Sequence, residues 1–294
     1  MRNSSLAALT AAAALCLACT APTERRDVVY DDRYGLDTSM NIFLPAGSDT
    51  GLPAVVLIHG GGWWFGDKNG MDGPARRLAR SGWVTASVDY RLVPDGAFPK
   101  DFQDCQCAIA FLRAHAEEYR LDPNRIAVLG YSAGGHLASL LGVASDHPEL
   151  MTDCQAAGAK PVARPASVID GAGPTDMRMF GDVRAVVTYM GGTAAENPHG
   201  YDLASPIYHV RPGEPPFLII HGQSDWIVAL DAASRMRDAL AGAGNDVRIL
   251  LLAGGGHVLN PSVDPGDLEV SLATDSPEAW IAIDDFLVRT IGAP

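Results

Sequence analysis

The run Arg125-Ile-Ala-Val-Leu-Gly-Tyr-Ser-Ala-Gly-Gly-His-Leu-Ala-Ser-Leu-Leu141 constrains the fold more than any other part of the chain. An apolar stretch stops at a glycine-rich turn and a helical pattern of apolar residues starts directly after it, so the spacing predicts strand, turn, helix. Gly130-x-Ser132-x-Gly134 then acquires a mechanical meaning. A serine hydroxyl can attack a carbonyl only if it stands clear of the backbone, which needs a sharp, strained turn without bulky neighbours. Glycines at 130 and 134 remove the Cβ atoms that would meet the turn, and Gly135 lets the following helix pack closely on the sheet. The helix starting near Ala133 aims its first amides and the positive end of its dipole at the site of a developing oxyanion. A glycine-rich turn in any α/β protein has the same five-residue pattern, so the remaining groups must be sought elsewhere in the chain.

Around this stretch, short apolar runs at 54–58, 84–88, 126–129, 167–169, 217–220 and 247–252 read as strands buried on both faces. Helical patterns near 71–80, 101–119, 133–144, 231–241 and 277–290 separate them. This alternation predicts an α/β class: a mostly parallel twisted sheet of about eight strands with helices on both faces. Residues 28–34 and 40–44, separated by Gly35-Leu-Asp37, suggest an antiparallel hairpin at one sheet edge. Pro123, Pro165 and Pro216 are expected just before strands, where a missing amide costs no ladder bond. The long, weakly periodic interval 171–215 has room for a short helix and a small cap over a site.

At the amino end, Met1-Arg2 precedes an almost wholly apolar stretch from Leu6 to Ala18, interrupted only by Thr10. This is a signal-peptide profile, too short for the roughly 20 residues of a membrane-spanning helix. Residues 1–18 therefore read as a leader and 19–294 as a single domain exported from a bacterial cytoplasm. Leu17-Ala18-Cys19 resembles the end of a lipobox, with Cys16 where leucine is usual. Lipid attachment at Cys19 and cleavage after Ala21 both fit. The formal charge of −13 argues against nucleic acid as a partner. An exported chain permits a disulfide between Cys154 and either Cys105 or Cys107, whereas Cys105 and Cys107 point apart on one helix.

Directly after the strand 54–58 comes His59-Gly60-Gly61-Gly62-Trp63, which supplies backbone amides free of intervening side chains. A tetrahedral intermediate needs fixed donors, here the amides of Gly61, Gly62 and Ala133. A phosphate-loop reading fails because Asp67 stands where that loop needs lysine. His59 is expected to hold the loop through backbone hydrogen bonds. Trp63, Tyr131 and Trp226 are candidates for the substrate pocket, with one of Trp63 and Trp64 in the core and the other at the pocket wall.

A serine needs a base, and the base needs a partner that fixes its tautomer. His257 follows Gly254-Gly-Gly256 at the end of the strand 247–252, where open α/β sheets place their sites. Asp225 lies just past the strand 217–220, and Asp176, after the preceding strand, competes with it; the chain order Ser–Asp–His favours Asp225. No H-E-x-x-H or paired Cys/His spacing points to a metal, and no cofactor is expected.

With these residues assembled, the sequence resembles the α/β-hydrolase fold, and specifically the hormone-sensitive-lipase-type and BD-type feruloyl esterase group of bacterial carboxylesterases. The resemblance rests on His59-Gly-Gly-Gly-Trp63 with Gly66-Asp-Lys68, Asp89-Tyr-Arg-Leu92, Phe111-Leu-Arg113 leading into Leu121-Asp-Pro-x-Arg-Ile126, Gly130-x-Ser-Ala-Gly-Gly-His-Leu137, Ala204-Ser-Pro-Ile207 and His221-Gly-x-x-Asp225. It implies hydrolysis of carboxylic esters of small molecules, with Ser132 as nucleophile, His257 as base and acid, Asp225 as orienting acid and backbone amides as oxyanion hole. Trp226 directly after the acid, and the segment 171–215, depart from the family's pattern except around 204–207. Amide, formamide or peptide hydrolysis would use the same groups. A catalytically silent binding protein on this fold would be expected to have lost at least one of them.

Overall fold

The computed structural model describes residues 21–154, 164–257 and 276–294. The leader, Cys16 and Cys19 lie outside the described residues. Eight strands form one sheet: β1 (Thr23–Val29), β2 (Ser39–Leu44), β3 (Leu52–Ile58), β4 (Val84–Val88), β5 (Leu121–Tyr131), β6 (Ser167–Gly171), β7 (Phe217–Gly222) and β8 (Val247–Leu252). Their spatial order is β1-β2-β4-β3-β5-β6-β7-β8. Only β2 runs against its neighbours, pairing antiparallel with both β1 and β4; every later pair is parallel.

The connections supply the helices: α1 (Asp72–Arg80), α2 (Lys100–Ala114), α3 (Ala133–Ala144), α4 (Arg184–Tyr189), α5 (Pro198–Leu203), α6 (Leu230–Gly242) and α7 (Pro277–Ile291). Apolar side chains of β3 to β7 alternate between two layers. Val56, Ile58, Val128 and Val168 pack toward α2 and α3, whereas Val55, Leu57, Leu129 and Ile169 pack toward α1 and α7. Such two-sided burial is why these strands read as continuous apolar runs. Among the described residues no helix is long and apolar enough to cross a membrane.

The expected elements differ from the observed ones where burial is partial. The edge strand spans Thr23–Val29 rather than starting at residue 28 and reaching 34, and residues 32–34 form a turn. Its first residues are polar and exposed and add ion pairs, Glu24 with Arg76 and Arg26 with Asp72, to the backbone ladder, which crosses an irregularity between Arg25 and Val28 where Asp27 adopts φ 54°. Apolar alternation cannot reveal such a strand. The helix expected to reach residue 119 ends at Ala114, because the chain must turn into β5; the Leu121 amide bonds back to Ala116 O at 2.9 Å. Pro123, expected ahead of a strand, sits within β5, opposite the register shift between Leu52 and Ala54. Residues 171–215 hold two 3-10 turns, Met177–Phe180 and Pro206–His209, besides α4 and α5. Cys154 pairs with Cys107, and Cys105 stays a free, buried thiol.

Candidate active site

Three strand ends converge on Ser132. The residue itself joins β5 to α3 with φ 54° and ψ −119°, a left-handed conformation that costs a non-glycine residue energy and is kept by its surroundings. Those surroundings are tight: a Cβ at Gly134 would lie 2.1 Å from Ile58 O, and one at Gly130 would lie 1.9 Å from Gly134 O. The Ser132 amide donates to Gly171 O of β6 at 2.7 Å, fixing the turn to the neighbouring strand.

His257 Nε2 lies 2.8 Å from Ser132 Oγ, and His257 Nδ1 lies 2.8 Å from Asp225 Oδ2. Nδ1–H donates to the carboxylate, which leaves the Nε2 lone pair to accept the serine proton. Asp225 is held from both sides, because its Oδ1 accepts the amides of Ile227 and Val228 at 2.9 Å each. Burial alone would push its carboxyl up. The hydrogen bond and charge of His257, with those two amides, outweigh burial and hold it below the usual carboxylate range. Asp176 takes a different post: it caps the 3-10 turn at Met177 through the Arg178 amide at 3.1 Å and pairs with Arg235 at 2.8 Å.

The loop after β3 passes the serine through consecutive left-handed residues, Gly61 at φ 115°, Gly62 at 59° and Trp63 at 65°. A Cβ at Gly61 would fall 1.9 Å from Phe65 O, so only glycine fits the turn. As the first residue of α3, Ala133 has an amide with no intrahelical acceptor. His59 anchors the start of the loop: Nδ1 donates to Gly60 O at 2.7 Å, and its ring stacks on Tyr90 at 4.3 Å. Tyr90 in turn donates to His59 O at 3.0 Å. Asp89 secures the far end, accepting the Lys68 amide at 2.6 Å and its ammonium at 2.7 Å.

The candidate pocket residues part company. Trp226 is 76% exposed beside the acid, but Trp63 is only 4% exposed and packs in the core, whereas Trp64 is 40% exposed. Tyr131 is 1% exposed and donates its hydroxyl to His257 O, so it braces His257 instead of lining a pocket. Its position as the x before Ser132 carried no signal of that role. The other buried histidines donate to carbonyls, His136 to Ala204 O at 2.7 Å and His221 to Val228 O at 2.8 Å. Among the described residues no cluster of His, Cys, Asp or Glu has the arrangement of a metal site.

The BD-FAE family model matches residues 40–240. Esterase LipC of Mycobacterium tuberculosis is 33% identical over 214 residues, covering 70% of this chain and 52% of its own length. The probable carboxylic ester hydrolase LipM of the same organism is 31% identical over 226 residues, covering 73% of this chain and 51% of its own. The chain thus spans about half the length of these curated relatives. The structure of a truncated carbohydrate esterase from gut microbiota superposes with a TM-score of 0.77 at 24% identity, over 93% of this chain and 98% of that one, a likeness of fold. The chain belongs to the BD-FAE family and carries the α/β-hydrolase fold.

Proposed function

We propose that this chain hydrolyses carboxylic esters of small molecules through an acyl-enzyme intermediate. The observation that carries the reading is the unbroken relay from Ser132 Oγ through His257 to Asp225, 2.8 Å at each step, facing a glycine loop. His257 Nε2 takes the serine proton as Oγ attacks the ester carbon. The carbonyl oxygen becomes an oxyanion, and the amides of Gly61, Gly62 and Ala133 stabilise it. Imidazolium returns the proton to the departing alcohol; water then attacks the acyl-enzyme by the same route in reverse. Asp225, ionised because His257 and two amides hold its carboxyl low, keeps Nδ1 protonated and offsets the imidazolium charge. No step calls for a metal or cofactor.

Esterases among the relatives support ester bonds as the target over amides. A silent binding protein would have no use for a serine held in a strained turn within reach of a base. Ser132→Ala tests the reading: p-nitrophenyl ester hydrolysis should fall at least about 10³-fold with circular dichroism unchanged. A rate within about tenfold of wild type would remove Ser132 from the mechanism.

The apolar leader supports export, and the Cys107–Cys154 bond fits an oxidising compartment. Residues 171–215 would cap the acyl or alcohol side of the pocket. The mass of the mature amino terminus distinguishes a lipid on Cys19 from simple cleavage after Ala21, and an unprocessed Met1 in the exported fraction would defeat both.

A further inference from the structure

We propose that Tyr189, at the end of α4, is a positioning residue for the oxyanion loop, so that the segment between β6 and β7 sets how well the transition state is held. The inference rests on the ester-hydrolase reading above, in which Gly61 and Gly62 donate to the oxyanion. Trp63 follows those glycines directly and is held at φ 65°, a conformation that an L side chain seldom adopts. Such a residue stays in place only if packing over-determines it. Its indole stacks face to face on Tyr189, with ring centroids 4.3 Å apart and planes 7° from parallel, and meets His136 of α3 edge-on at 5.4 Å.

A second contact joins the same two segments. Trp64 Nε1 donates to Ala185 O of α4 at 3.2 Å, so consecutive tryptophans grip α4 by one ring face and one carbonyl. Tyr189 is itself fully buried and fixed at both ends: its hydroxyl lies 3.2 Å from Asp101 Oδ1, and its carbonyl accepts the Phe98 amide at 3.2 Å. Phe98 packs edge-on against the same ring at 6.1 Å. Val93 closes the circuit by donating its amide to Trp63 O at 3.0 Å. The oxyanion loop, the chain after β4 and α4 therefore share one aromatic joint, centred on Tyr189.

A joint that orients oxyanion donors acts on the transition state more than on bound substrate, which separates it from a pocket wall. Tyr189→Leu removes the stacked ring. With p-nitrophenyl butyrate, kcat should fall about 10- to 100-fold while KM stays within about threefold. The affinity for a trifluoromethyl ketone, which forms a tetrahedral adduct, should drop in parallel with kcat. Tyr189→Phe keeps the stack and should hold kcat within about threefold of wild type. Wild-type kcat in Tyr189→Leu, or a change in KM alone, overturns the proposal. If circular dichroism shows that Tyr189→Leu does not fold, Trp64→Phe is read in its place: loss of the bond to Ala185 should lower kcat severalfold at constant KM. An unchanged kcat in that variant overturns the proposal equally. Activity surviving in Ser132→Ala would instead defeat the ester-hydrolase reading itself, an outcome separate from any result at Tyr189.

Discussion

The two halves of the site are built differently. On the side proposed to hold the oxyanion, the loop after β3 is fastened along its whole length: His59 to Tyr90, Trp63 to Tyr189, Trp64 to Ala185 and Lys68 to Asp89. On the side proposed for proton transfer, His257 follows a run of three glycines, and its described contacts are Ser132, Asp225 and the Tyr131 hydroxyl and ring. The difference follows from what each half must do. Oxyanion donors gain their effect by not moving when charge develops, so several anchors are worth their entropy. An imidazole that carries a proton from one oxygen to another needs its tautomer fixed but its ring free to make small adjustments.

Removing the acid should have the largest effect. Asp225→Asn should lower kcat by roughly 10³- to 10⁴-fold, because Asn cannot hold Nδ1 protonated, whereas Asp176→Asn should cost far less. The opposite ranking in steady-state assays would move the orienting acid to Asp176. A matched pair of hydroxyl deletions then sharpens the contrast between the halves. Tyr131→Phe strips His257 O of the Tyr131 donor and should lower kcat by about tenfold. Tyr90→Phe strips His59 O in the same manner, but the ring stack and the Asp89–Lys68 pair remain, so kcat should stay within about threefold. Equal losses in the two variants would show that the oxyanion side has no such redundancy.

At the seam between the halves the expected effect is on stability and its pH dependence, not on the rate. Asp170, buried beneath the elbow, accepts from Ser139 Oγ at 2.7 Å and the Gly173 amide at 2.8 Å; burial outweighs both and pushes its carboxyl from 3.8 to about 6. The folded state thus keeps a proton that the unfolded chain has already released, and this group's contribution to stability falls as pH rises from about 4 to about 6. Asp170→Asn has no such titration. Urea denaturation across that window should show the variant gaining on wild type with rising pH, by at most about 3 kcal/mol. A difference between the two that is flat with pH would rule out the buried proton.

The chemistry was easier to read from the sequence than the bracing around it. Ser132, Asp225 and His257 each follow a strand and glycines, in the chain order Ser–Asp–His, so their convergence was legible from local pattern. The same holds for Gly61, whose glycine is demanded by its own backbone. By contrast, Trp63 and Trp64 look alike in the sequence, and which one is buried depends on Tyr189, more than a hundred residues away. The same is true of Tyr131, whose partner is a backbone carbonyl that no side-chain pattern announces. Nor could spacing choose between Cys105 and Cys107 for Cys154, because both lie on α2, and only packing against the chain after α3 decides.

The bond between Cys107 and Cys154 has a topological consequence. It closes a covalent ring across 47 positions, and β5, Ser132 and all of α3 lie inside that ring. In the unfolded chain such a closure removes entropy worth about 4 kcal/mol. Mechanically, the effect is a bypass. Covalent tension applied between the two ends of the protein runs from α2 across the sulfur bridge to residue 154, so the backbone of the Ser132 turn is not stretched along its length while the bond holds.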